Sequence, residues 1–207
     1  MSWWNPFKNK KPQPKDISKK FLIVGLGNIG LDYALTRHNL GFDALNYIAK
    51  RKELKFTELR YGAVGKLKHK GCIFIFLKPS TYVNKSGDAV KYWMNKERIN
   101  LSNLLVICDD LNIPFGTVRI KIKGSNGGHN GLKDLESKLG TNNYGRLRFG
   151  IKNETKKNIT QFVLDKWNQK ELDILETYFK KIEDAVFSYT LLGPSIAMNN
   201  FNNKTPN

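Results

Sequence analysis

The chain has 207 residues, with 35 Lys+Arg against 18 Asp+Glu and a formal net charge of +17. That length suits one domain with a sizeable core, and 40% apolar residues exclude a disordered chain. No apolar run approaches the ~18–20 residues of a membrane span, and two cysteines and three histidines leave little room for a disulfide framework or a Cys/His zinc site.

Residues 1–20 carry six lysines against one acid, a net +5 of the +17, so the remaining chain holds +12. Pro6, Pro12 and Pro14 discourage regular structure there, and the segment reads as a basic, disordered extension in which Trp3, Trp4 and Phe7 sit among lysines. Phe21-Leu-Ile-Val24, ending at Gly25, predicts a buried strand. Residues 40–52 predict a helix with Leu40, Ala44, Leu45 and Ile48 on one face. Ile73-Phe-Ile-Phe-Leu77 predicts a second buried strand, stopped by Pro79; residues 85–95 suit a helix, and Leu104-Leu-Val-Ile-Cys108 a third strand. Val118, Ile120 and Ile122 alternate with Arg119, Lys121 and Lys123, which gives a strand one apolar and one basic face.

A Gly-rich loop leads into a predicted helix over 130–139, and Leu147, Phe149 and Ile151 mark another strand. In the last helix Leu172, Leu175, Phe179, Ile182 and Val186 step by three and four, and Glu176 is placed to pair with Lys180. Gly193-Pro194 ends it. The expected organisation is an extension over 1–20, an α/β domain over 21–193 and a polar C-terminal tail over 194–207. The fold class is a single α/β domain: a twisted, mixed, mostly parallel sheet with helices on both faces.

Ligands of α/β sheets bind beyond the carboxyl ends of strands. Asn28 and, past a loop, His38 follow the first predicted strand; Tyr82 and Asn84 the second; Asp109 and Asp110 the third; His129 and Asn130 the basic-faced one. A histidine beside a carboxylate has its tautomer fixed and can take a proton from water. Asn28, Asn84 and Asn130 are ordinary turn residues one by one. Together they offer uncharged donors and acceptors to a peptide or an oxyanion. Asp109-Asp110 could hold a hard cation, but no third acid clusters with them, and no metal or cofactor is expected.

Gly25-Leu-Gly27-Asn-Ile-Gly30 also spells G-x-G-x-x-G, which keeps a dinucleotide- or RNA-binding module as the alternative. Its context is poor, because no helix pattern starts within it and Lys50-Arg-Lys52 stands where a ribose-binding acid belongs.

Several segments, in order, are similar to the bacterial-type peptidyl-tRNA hydrolases: Val24-Gly-Leu-Gly-Asn-Ile-Gly30, Tyr33, Thr36-Arg-His-Asn39, Lys78-Pro-Ser-Thr-Tyr-Val-Asn84, Ser86-Gly87, Asp109-Asp110 with Pro114 and Gly116, Gly127-Gly-His-Asn-Gly-Leu-Lys-Asp134, Arg146-Leu-Arg148 and Phe162-Val-Leu164. The resemblance implies a monomeric, metal-free, cytoplasmic esterase that cuts peptide from tRNA. It implies His38 as general base, Asp109 as its orienting carboxylate, and Asn28 as the residue tied to telling blocked from free aminoacyl groups. By the same resemblance Tyr33, Tyr82, Asn84 and Asn130 bind substrate, and Lys121 and Arg148, with Arg119 beside them, clamp tRNA phosphate. Val83, Cys108 and Asn112 depart from the family's usual residues.

Overall fold

Every apolar run becomes a strand of one seven-stranded sheet in the structure, a computed structural model that describes residues 19–152 and 158–202. The basic extension, apart from Lys19 and Lys20, lies outside the described residues. The strands are β1 (Lys19–Gly25), β2 (Thr57–Leu59), β3 (Gly62–His69), β4 (Cys72–Pro79), β5 (Leu104–Pro114), β6 (Val118–Lys121) and β7 (Gly145–Lys152). They lie in the order β2-β3-β4-β1-β5-β7-β6. The central β4, β1, β5 and β7 run parallel; β2/β3, β3/β4 and β6/β7 pair antiparallel. The expected α/β class and mostly parallel sheet are therefore present.

The helices are α1 (Leu40–Arg51), α2 (Ser86–Glu97), α3 (Asn130–Leu139), α4 (Ile159–Leu164), α5 (Gln169–Phe187) and α6 (Pro194–Phe201). The inner strands are continuously apolar because both sheet faces are covered. Ile23, Ile107, Leu147 and Phe149 pack on the side of α1 and α5. Leu22, Val24, Val106 and Cys108 pack on the side of α2 and α3. α5 opens on a capping box, Asn168 with Glu171. On its exposed face Lys180 bonds Asp184 at 3.2 Å, one turn after the partner expected for it.

The C-terminal expectation needs correction. After α5 come a wider π-helical turn, Ser188–Leu192, and Gly193 at φ 101°. Pro194 then starts α6 instead of stopping structure, since the first helical residue has no N–H to satisfy within the helix. Ala197 is buried, and the Asn202 carboxamide bonds both backbone groups of Ile120, accepting from N at 2.7 Å and donating to O at 2.9 Å. Residues 203–207 lie outside the described residues. Asp109 and Asp110 are also placed differently: β5 continues through them to Pro114, so they lie inside a strand, not after one.

Gly25 and Gly27 of the G-x-G-x-x-G segment serve packing, while Gly30 takes a left-handed φ of 105°. No α-helix begins within it; α1 starts only at Leu40. A Cβ on Gly25 would lie 2.2 Å from the Gly41 carbonyl oxygen, and one on Gly41 2.4 Å from the Leu26 nitrogen. β1 and the first turn of α1 thus touch backbone to backbone. Gly41→Ala is expected to cost at least ~1–3 kcal/mol through forced displacement of both elements, measurable by urea unfolding; an unchanged midpoint would contradict that contact.

Candidate active site

The close contact of β1 with α1 sets the end of the first strand. Leu26 N–H donates to Ile107 O at 3.0 Å, and the chain then leaves the sheet. Asn28 N–H donates to Asn39 Oδ1 at 2.7 Å, and Asn39 Nδ2 donates back to Asn28 O at 2.9 Å. This reciprocal pair locks the loop to the turn that carries His38. The Asn28 Oδ1 accepts from Val83 N–H at 2.8 Å. Its orientation is thereby fixed, and Nδ2 is left for the cleft without a protein acceptor among the described residues.

His38 sits in a 3-10 turn, Arg37–Asn39, and is buried. Its Nδ1 lies 2.9 Å from Asp109 Oδ1, and the same oxygen lies 3.2 Å from His129 Nε2. The tautomers follow from the second histidine. His129 Nδ1 accepts from Gly131 N–H at 3.1 Å and Leu132 N–H at 3.3 Å, capping α3, so its proton is on Nε2 and points to Asp109. Asp109 is a carboxylate that also receives the His38 Nδ1 proton. Nε2 of His38 then keeps its lone pair.

The charges fit this arrangement. Burial alone raises Asp109, but the two histidines beside it hold its carboxyl well below the usual carboxylate range. Burial alone lowers His38; the charge and hydrogen bond of Asp109 outweigh it, and the imidazole is raised above its ordinary value. His38, Asp109 and His129 also bring their donor atoms within 4.8 Å of one another, a spacing a metal ion could use. Both imidazole protons already point at the Asp109 oxygen, and the far nitrogen of His129 is committed to α3. The three side chains thus satisfy one another and the first turn of α3.

These groups open onto a cleft of about 730 Å³. Asn28, His38, Tyr82, Asn84, Asp109, Asn130 and Arg148 all line it. Tyr33 does not; its ring meets Tyr82 edge-on at 6.1 Å, on the rim. Ile159, Val163 and Leu164 of α4 form an apolar wall. Arg37 holds that wall against the His38 turn. Its guanidinium pairs with Glu171 at 2.6 Å, donates to the Asp165 carbonyl at 3.2 Å and lies 4.4 Å over the Phe162 ring. Sequence reasoning gave Arg37 no role, because its partners lie more than a hundred residues away.

The basic residues form a two-by-two array on one sheet face. Arg119 is register partner of Arg148, and Lys121 of Arg146. Arg119 and Lys121, on the edge strand, are exposed, as alternation predicts. Arg148 is mostly buried: Nη1 pairs with Asp110 at 2.8 Å and Nη2 donates to Ser125 O at 2.5 Å. Arg146 is fully buried and donates to the carbonyls of Ser125, at 2.8 Å, and Asn142. The two arginines therefore hold the Gly-rich loop from beneath and set the position from which His129 and Asn130 emerge. The alternation Arg146-Leu147-Arg148 put them on one face, but nothing in the sequence named backbone carbonyls as their partners.

The sequence model of the family described as peptidyl-tRNA hydrolase matches residues 22–207. A protein of that name from Phocaeicola vulgatus is 50% identical over 186 residues, covering 89% of this chain and 100% of its own. Another from Finegoldia magna is 39% identical over 191 residues, covering 89% and 98%. The crystal structure of peptidyl-tRNA hydrolase from Acinetobacter baumannii superposes with a TM-score of 0.84 at 32% identity, over 92% of this chain and 98% of that one. Agreement that spans both chains nearly end to end, in sequence and in backbone path, makes this protein a member of the peptidyl-tRNA hydrolase family.

Proposed function

We propose that the chain hydrolyses the ester between a peptide, or an N-blocked aminoacyl group, and tRNA, returning tRNA to translation. The observation that carries the mechanism is the single Asp109 oxygen bonded to both imidazoles, which leaves His38 Nε2 as the available base at the cleft. His38 Nε2 takes a proton from water as the water oxygen attacks the ester carbonyl. Asp109 stabilises the imidazolium that forms. The Asn28 Nδ2 donates to the developing oxyanion; one such donor contributes about 2.7–4 kcal/mol in comparable sites. The tetrahedral intermediate collapses by breaking the bond to the ribose oxygen, which takes the proton back from His38. The products are a peptide carboxylic acid, which releases its remaining proton to solvent to become the carboxylate, and a free ribose hydroxyl.

Tyr82, Asn84 and Asn130 hold the acyl group, Tyr33 contributes from the rim through its contact with Tyr82, and the apolar face of α4 takes the acyl side chains. Amide donors suit the peptide group of a blocked substrate and offer little to the ammonium of a free aminoacyl-tRNA. Cleavage of N-acetyl-aminoacyl-tRNA but not of free aminoacyl-tRNA is the expected result; cleavage of neither overturns the proposal. The enzyme acts as a cytoplasmic monomer without a metal in this reading.

Arg119 and Lys121 contact tRNA phosphate directly, and Arg148 contributes from behind them at the cleft wall. Lys121→Ala is expected to weaken binding and to reduce the log–log salt slope by about 0.7–0.9, the loss of one phosphate contact. Turnover at saturating tRNA stays unchanged; a pure loss of turnover would show that Lys121 works in chemistry instead.

A further inference from the structure

Arg37 precedes the base in sequence and does not line the cleft. Its side chain joins two helices to the turn that carries His38. Nη1 donates to the Phe162 carbonyl at 3.4 Å and to the Asp165 carbonyl at 3.2 Å. Both acceptors lie at the carboxyl end of α4, where a helix leaves carbonyls to be satisfied from outside. Nη2 pairs with Glu171 Oε2 at 2.6 Å. The same oxygen accepts from Asn168 N–H at 2.8 Å and completes the capping box of α5. One guanidinium thus closes the end of α4 and is tied to the start of α5.

The backbone repeats the tie. Arg37 N–H donates to Asp165 O at 3.2 Å, Trp167 N–H donates to Leu35 O at 3.3 Å, and Thr36 bridges Lys166. A helix of 6 residues has too few bonds of its own to hold a place. These contacts therefore decide how far α4 stands from the His38 turn. Ile159, Val163 and Leu164 face the cleft from α4, so that distance is the width of its apolar side.

Stability alone does not call for a charge pair here. The Arg37 and Glu171 side chains are 6% and 14% exposed. A pair so far from water is often matched or bettered by apolar residues of similar volume. Arg37 Nε is also buried without a partner among the described residues. What the guanidinium adds is direction. Its flat fork reaches carbonyls and a carboxylate at fixed angles, while it lies 4.4 Å over the Phe162 ring and 5.3 Å from that of Trp167.

We propose that Arg37, with Glu171, is a positioning residue that makes the enzyme sensitive to the bulk of the acyl side chain. It sets the α4 wall at the distance from His38 at which that side chain packs while the ester carbonyl meets the base. The inference rests on the ester-cleaving function above. The test compares N-acetyl-phenylalanyl-tRNA with N-acetyl-glycyl-tRNA, which has no side chain to meet α4, both on one tRNA species. Wild-type enzyme is expected to favour the first by ~10-fold or more in kcat/KM, the scale of an apolar side chain in a fitted pocket. Arg37→Met combined with Glu171→Met replaces the pair by apolar residues and is expected to fold, because Asn168 still caps α5. Its preference should fall several-fold, mainly through a higher KM for the phenylalanyl substrate. A loss of folded enzyme would lower both substrates alike. Arg37→Lys keeps Glu171 paired but lacks the fork, and is expected to lose part of the preference. Its acid limb should stay where wild-type enzyme places it, because Asp109 is what raises His38.

Equal cleavage of the two substrates by wild-type enzyme overturns the proposal. So does a preference unmoved in the folded double variant, or in Arg37→Lys should the double variant not fold. A displaced acid limb in Arg37→Lys also overturns it, since the arginine would then act on the base itself. Absence of cleavage of either substrate by wild-type enzyme would instead defeat the broader function, so the two failures are distinguishable.

Discussion

His38→Ala is expected to lower kcat/KM on N-acetyl-aminoacyl-tRNA by ~10²–10⁴-fold, the usual contribution of a positioned general base. The fold should survive. His38 is held through Asp109, and that carboxylate keeps its bond to His129 at 3.2 Å when the first imidazole is gone. The space left by the ring opens on the cleft, where water can enter. The wild-type pH profile gives a second readout. A base works only when neutral, and Asp109 raises His38 above its ordinary ~6.5. Activity should therefore fall as pH drops through a midpoint above ~6.5, and the limb should be missing from the residual activity of His38→Ala. Near-normal turnover by that variant, or a wild-type profile flat from pH 5 to 8, would remove His38 from the mechanism.

Asp109→Asn is the second large effect, with an expected loss approaching ~10⁴-fold, as when a histidine's orienting carboxylate becomes an amide. The substitution keeps shape and changes proton traffic. Asp109 Oδ1 now accepts from two imidazole N–H groups. An amide presents a donor as well, and a donor facing His38 Nδ1 forces the His38 proton onto Nε2, the nitrogen that must accept from water. The charge that raises His38 also disappears, leaving burial to lower it. The acid limb of the surviving activity should thus move to lower pH, while α3 keeps its cap because His129 Nδ1 bonds backbone N–H groups. Full activity with an unmoved limb would mean that His38 is oriented by something else.

Much of this was legible because strand ends in an α/β sheet converge. The apolar runs at Phe21–Val24, Ile73–Leu77 and Leu104–Cys108 located the parallel strands, and the polar residues after them located the cleft. The β2–β3 hairpin was not visible: β2 is exposed throughout, and the outer half of β3 alternates lysines with half-buried residues. His129 was seen as a strand-end residue, but its bond to Asp109 was not, since sequence says nothing about which of two histidines a carboxylate will face. Arg148 was expected as a phosphate ligand. Its burial against Asp110 and the Ser125 carbonyl depends on how the Gly-rich loop folds over β7, a long-range contact that no local pattern encodes. Pro194 misled for a simpler reason. Gly-Pro marks a helix end and, equally well, the first residue of the next helix.

The Asn202 side chain occupies a place where a neighbouring strand would otherwise pair. β6 is the outermost strand on its side of the sheet, and an open edge invites the backbone of another molecule. By closing Ile120 with its carboxamide, Asn202 at the end of α6 blocks that edge, while Arg119 and Lys121 add mutual repulsion between copies. Protein engineers should accordingly leave the carboxyl end intact. A truncation at Phe201 spares every residue of the cleft yet uncovers a sticky ribbon, so such a product is expected to associate at high concentration, and purification handles belong beyond Asn202.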